Sequence, residues 1–225
     1  MTSGSFLRAA VSVSAAVVLV GISACGADAP EEADATDDVE EQAPDVPENP
    51  MLEPEYDDDE TVALPIGMVS PAGYDWEIYD SADGISPDQP HGQQVARTEA
   101  FGCQDYISLV QTVPVVTDNP GEAALEYLIS LERTQHGNPA FLNPLASSSL
   151  QVTGVDHEGE SVTVNLTGAA ASTSVCQSWQ MLKQIETTAR AATGAQTAEI
   201  LLDGSPLAAQ LGLEDSGQLS IHSLD

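Results

Sequence analysis

The stretch LQVTGVDHEGESVTVNL, from Leu150 to Leu166, decides the fold. Leu150, Val152 and Val155 open a strand-like run, and Val162, Val164 and Leu166 alternate with Thr163 and Asn165. Alternation with a period of two sends one set of side chains to one face of a sheet. Between the runs, Asp156-His157-Glu158-Gly159-Glu160 is polar turn chemistry, so the two strands are predicted to pair as a hairpin. A lone hairpin is marginally stable in water, so the flanking sequence must supply what covers it.

Downstream, Ser174 suits a helix N-cap. Val175, Trp179, Leu182, Ile185 and Ala189 then recur at helical spacing, and Gly194 marks the end. Ala198 to Leu202 read as a further strand, Asp203-Gly204 as a turn, and Gln218 to Leu224 as a short last strand. Upstream, Gln104 to Val116 read as a strand, with Tyr106, Ser108, Val110 and Thr112 on one face and Ile107, Leu109, Gln111 and Val113 on the other. Asn119 suits an N-cap, Pro120 the first helical position, and Glu122 completes a capping-box spacing. Ala123, Ala124, Leu125, Tyr127, Leu128 and Leu131 continue as an amphipathic helix, which Gly137 and Pro139 are expected to end. Residues 137–148 read as a loop. The order strand, helix, strand, strand, helix, strand predicts an α+β two-layer sandwich with two helices packed on one sheet. A span of about 120 residues, 101–225, is long enough for one core.

Gly121-Glu122-Ala123-Ala124-Leu125-Glu126-Tyr127-Leu128, Leu150-Gln151-Val152, Val162-Thr163-Val164-Asn165-Leu166, Gln184-Ile185-Glu186-Thr187-Thr188 and Ile200-Leu201-Leu202-Asp203-Gly204-Ser205-Pro206 come in a fixed order. That series, over about residues 104–207, resembles the GerMN domain of sporulation and germination proteins, also found in actinobacterial lipoproteins. The resemblance departs at Asn165, where the family usually has Asp, and at the cysteine in the second helix. It implies an interaction or assembly module of the cell envelope and brings no catalytic residues with it.

The N-terminal sequence fixes an expected setting. Arg8 is the only charge before an apolar run from Ala9 to Ile22, and Ile22-Ser23-Ala24-Cys25 closes it. The run has the length of a signal h-region and falls short of the roughly 20 residues a spanning helix needs. Residues 1–24 are therefore expected to be a lipoprotein signal peptide, with Cys25 the lipidated residue; an ordinary signal peptide with a chance cysteine is the alternative. The 36 acids and 5 bases give a formal net charge of −31. Sixteen of the acids fall in residues 26–60, which have no Lys or Arg. Such a segment cannot bury enough apolar surface to offset its ordering entropy, so 25–60 is expected to be an acidic disordered stalk. Residues 61–100, with Pro65, Pro71, Pro87 and Pro90 and a cluster of Tyr74, Trp76, Ile78 and Tyr79, are expected to be an irregular arm. The folded domain is placed at 101–225.

Residues 61–225 keep 20 acids against Arg97, Arg133, Lys183 and Arg190. Nucleic acid and anionic lipid surfaces need Lys and Arg, so both are excluded as partners of this surface. Like-charge repulsion predicts more stability in salt. With Cys25 lipidated, Cys103 and Cys176 remain, and an extracytoplasmic setting predicts a disulfide between them worth roughly 2–4 kcal/mol; two free buried thiols are the alternative.

The candidate chemistry is sparse. Asp156, His157 and Glu158 are adjacent, which on a strand sends them to opposite faces and in a turn leaves them solvated. His136 at a helix end faces the helix dipole, and His91 and His222 have no partners of obvious spacing. Ser147-Ser148-Ser149 lacks the Gly-x-Ser-x-Gly of a nucleophile elbow, Trp179 reads as core, and Asn165-Leu166-Thr167 is a glycosylation pattern on a strand. The expectation is no catalytic residues, no metal site and no cofactor. The chain reads as a lipid-anchored protein of the extracytoplasmic face of the cell membrane, working through an envelope protein partner. The alternative is a lipoprotein that binds a small molecule or cation for a transporter or sensor.

Overall fold

The computed structural model describes residues 48–70, 94–136, 141–214 and 217–224. The chain divides into two compact units, Met1–Gln42 and Ala43–Asp225, and every described residue belongs to the second. Cys25, His91 and the cluster from Tyr74 to Tyr79 lie outside the described residues.

The N-terminal strands are β1 (Thr61–Val62), β2 (Pro65–Ser70), β3 (Gln94–Thr98), β4 (Tyr106–Gln111) and β5 (Val115–Val116). Helix α1 (Pro120–Ser130) leads to the short strands β6 (Gln135–His136) and β7 (Phe141–Leu142) and a 3-10 turn at Pro144–Ser147. The hairpin β8 (Ser149–Glu158) and β9 (Ser161–Ala169) precedes the long helix α2 (Val175–Thr193). Strands β10 (Thr197–Leu202) and β11 (Ser205–Pro206), helix α3 (Leu207–Gln210) and strand β12 (Ile221–Ser223) complete the unit.

The fold is α+β, as the pattern predicts, and both predicted helices pack on the sheet that contains the hairpin. That sheet has the order β11-β10-β9-β8. Strands β8 and β9 are antiparallel, and β10 lies parallel to β9 because α2 carries the chain back between them. The predicted caps form. The Asn119 side chain accepts from the Glu122 backbone N–H at 3.1 Å, and its amide donates to the Glu122 carboxylate at 3.2 Å. Ser174 accepts from the Gln177 N–H at 3.2 Å, and Gly194 ends α2 with φ +73°, a conformation open to glycine at no steric cost.

A second sheet covers the other side of α2, and it includes residues expected to be irregular. Its order is β12-β3-β4-β2-β7-β6. The expected arm, 61–100, therefore contributes β2 and β3 to the core sheet. All six residues of β2 are buried, the mark of a strand covered on both faces. Helix α2 seats on it at Gly67, where an added Cβ would come within 2.8 Å of Thr188 Oγ1. The Gly67 N–H donates to Thr188 Oγ1 at 2.9 Å and its carbonyl accepts from Gln184 at 2.8 Å. Polar residues of α2 thus satisfy the backbone of β2, which explains why Gln184 and Thr188 are fully buried.

Other boundaries differ for local reasons. The expected strand 104–116 divides into β4 and β5 around Pro114, and β5 pairs with β1 instead of the main sheets. Helix α1 stops at Ser130 with Leu131 as C-cap, before Gly137 and Pro139. The hairpin turn shrinks to Gly159 and Glu160, Gly159 taking φ +61°, so Asp156, His157 and Glu158 belong to β8. The expected loop 137–148 holds β7 and the 3-10 turn. The last strand is Ile221–Ser223, paired with β3 in the second sheet.

The end of the expected stalk is also part of this unit. Asn49 is buried, and its amide donates to the carbonyls of Arg190 at 3.1 Å and Ala195 at 2.7 Å. Those carbonyls lie at the end of α2, where intrahelical partners run out. Gln196 returns the contact, accepting from Asn49 N and donating to Asn49 O. A segment too acidic to fold by itself is ordered by capping a helix it does not belong to.

Candidate functional site

The predicted sulfur pair forms. Cys103 and Cys176 are disulfide-bonded with Cα atoms 5.7 Å apart, tying the turn before β4 to the first turn of α2. The other singled-out side chains are dispersed, and each one with a recorded polar contact bonds into the scaffold. His157 Nε2 donates to the Gly159 carbonyl at 2.8 Å, and Asp156 accepts from Asn165 across the hairpin at 3.3 Å. His136 sits in β6, not at the helix end, and donates to the Arg133 carbonyl at 2.9 Å. His222 is exposed in β12, opposite Arg97. Ser148 Oγ accepts from the Ala171 N–H at 3.0 Å and Ser147 Oγ faces two carbonyls. Asp203 accepts from Thr167 at 2.8 Å. Among the described residues, no group of three or more His, Cys, Asp or Glu side chains is placed to hold a metal.

The structure brings together a constellation that sequence reasoning missed. Lys183, Glu186 and Arg190 share one stripe of α2 at intervals of three and four residues, and all three are buried. Lys183 Nζ lies 2.6 Å from Glu186 Oε2 and donates to the Gly217 carbonyl at 2.6 Å. Arg190 Nη1 donates to the Leu219 carbonyl at 2.5 Å. Burial pushes the Arg190 guanidinium down to about 10, and the Glu186 carboxylate opposes that shift; it therefore stays charged at neutral pH. The Arg190 Nε and Nη2 atoms have no hydrogen-bond partner among the described residues. The stripe holds residues 217–219 against the helix. Gln218 extends the clasp to the other sheet, its amide exchanging two bonds with the Ala198 backbone. One signal did exist in the sequence: with only four bases in 61–225, two stand on one helix with Glu186 between them.

Two open features flank this frame. A hollow of about 370 Å³ is lined by Glu99, Phe101, Trp179, Lys183 and Leu219 among others. Trp179 is half-buried there, with Lys183 Nζ 5.8 Å from its ring centroid. A groove of about 450 Å³ runs between α1 and β8, lined by Glu126, Ile129, Ser130, Leu150, Gln151 and Val152.

Among the described residues, no helix is long and apolar enough to cross a membrane. A family model described as "Germane: Sporulation and spore germination" matches residues 96–208, half of the chain. No curated protein and no solved structure matches it.

Proposed function

We propose, from the premise that this chain belongs to the Germane sporulation and spore germination family, that it is a non-catalytic interaction or assembly module of the cell envelope. One observation carries the reading. Among the described residues, His136, His157, Asp156 and Asp203 are each bonded to the scaffold, and the clustered Lys183, Glu186 and Arg190 are buried, with Lys183 and Arg190 bonding the carbonyls of Gly217 and Leu219. A rigid frame with its polar groups engaged in this way offers surfaces, not a reaction centre. The leader ending at Cys25 supports a lipid anchor on the extracytoplasmic face of the membrane.

The test has two parts. Cys25→Ser should move the protein from the membrane fraction to the soluble one, and acylated Cys25 should be seen by mass spectrometry of the membrane-bound form. Single replacements His136→Ala, His157→Ala and His222→Ala should restore the phenotype of a deletion strain as well as the parent gene does. A strict requirement for one of these histidines, with fold and abundance intact, would overturn the non-catalytic reading. A second reading, binding of a small molecule, is favoured by the hollow beside Trp179, whose volume is within the range of ligand pockets. A ligand there would change Trp179 fluorescence and be lost on Phe101→Ala.

A further inference from the structure

We propose that the groove between α1 and β8 takes an extended, basic segment of a partner protein, which adds as a further strand beside β8. This rests on the interaction reading above and names its site. Strand β8 is ten residues long and ends its sheet; among the described strands only β9 pairs with it. A long edge presents unpaired N–H and C=O groups, and proteins usually cover, shorten or charge such edges. Here the edge is interrupted by a bulge between Val152 and Gly154. The stretch before the bulge, Ser149 to Val152, is the part that the groove follows.

The opposite wall is α1. Leu150 is buried, and Val152 and Ile129 are half-buried, so the groove has an apolar floor that a partner's alternate side chains can enter. A helix beside a free edge strand is a geometry used for strand addition, in which main-chain bonds give affinity and pockets give selectivity. Charge selects the occupant. Glu122 and Glu126 lie on α1, Asp156 and Glu158 lie on β8, and α1, β8 and β9 have no Lys or Arg. A second copy of this chain brings its own formal net charge of −31 to the same acidic groove, and the two copies repel. A segment with alternating Lys or Arg and β-branched residues would meet opposite charge instead.

The experiment titrates the full-length processed protein with synthetic peptides in which Lys alternates with Val and Thr. Three probes are compared: the Lys peptide, the same peptide with Glu for Lys, and a Lys peptide N-methylated on the backbone of alternate residues. The Lys peptide should bind and slow amide exchange of residues 149–152, and the Glu peptide should not bind. N-methylation should weaken binding by about tenfold or more, because it removes the ladder bonds. Glu126→Lys should weaken it by about fivefold, while Glu199→Lys on the exposed side of β10 should change it less than about twofold.

Equal binding of the methylated peptide, or equal weakening by Glu126→Lys and Glu199→Lys, would overturn the proposal in favour of unspecific charge attraction. Self-association through β8 in sedimentation would also overturn it. Photocrosslinkers placed at Gln151 and at Glu199 in cells separate this proposal from the broader one. Protein crosslinks from Glu199 with none from Gln151 would overturn the groove and leave the interaction reading standing.

Discussion

Replacing Asn49 by Ala tests whether the end of the acidic segment belongs to the folded unit. The Asn49 amide bonds the carbonyls of Arg190 and Ala195, both at the buried end of α2. Its side-chain oxygen accepts from the Met51 N–H at 3.1 Å and holds the local turn. Gly194 is close by: a Cβ there would lie 2.9 Å from the Glu53 nitrogen, so the segment sits tightly over the helix end. Asn49→Ala leaves the Ala195 carbonyl without this donor and removes a bond to the Arg190 carbonyl. A typical hydrogen bond nets about 1 kcal/mol, and a buried polar group left unpaired costs about 1–3 kcal/mol. The expected loss is about 2–4 kcal/mol, a fall in melting temperature on the order of 10 °C for a domain of this size. Asn49→Asp keeps the shape but sets a carboxylate against two carbonyl oxygens, so it should cost more than Ala. Urea unfolding followed by circular dichroism gives both values, provided the slope with denaturant is unchanged. A loss below about 0.5 kcal/mol, the range of ordinary surface substitutions, would show that residues 48–53 do not cap α2. Asp and Ala variants of equal stability would show that the bonds do not matter.

Three further outcomes are expected. Cys103→Ser with Cys176→Ser should lower stability by about 2–4 kcal/mol, and alkylation of the untreated protein should find no free thiol at either position. Gly168→Ala should break the open end of the hairpin, because φ is +109° and the new Cβ would lie 2.0 Å from the Ser149 carbonyl oxygen; Gly154→Ala, with nothing within 4 Å, should unfold at nearly the parent's urea midpoint. Melting temperature should rise from low to molar NaCl and rise less in sucrose of matched osmolality, since screening relieves repulsion among the 20 acids of residues 61–225; a flat salt dependence would refute the repulsion.

The sequence by itself determined the elements whose causes are local. Asn119 and Ser174 announce helix starts because their side chains replace missing intrahelical acceptors within the next three residues. Val162, Val164 and Leu166 announce β9 because a period of two is a property of the strand itself. Order and spacing of those pieces were enough for the α+β class and for the family. Tertiary structure alone decided the rest, because the causes are distant in sequence. Strand β2 looks like a proline-bounded fragment until β4 pairs along it and Gln184 and Thr188 bond its Gly67 backbone from 117 and 121 residues away. Asn49 looks like part of a stalk until the end of α2 gives it two carbonyls. The polar face of α2 reads as solvent-facing until a second sheet covers it, and then Lys183, Glu186 and Arg190 must find partners inside. The candidate groove follows the same logic: β8 is legible as a strand, but only the sheet order makes it an edge, and only the packing of α1 beside it makes that edge a cleft.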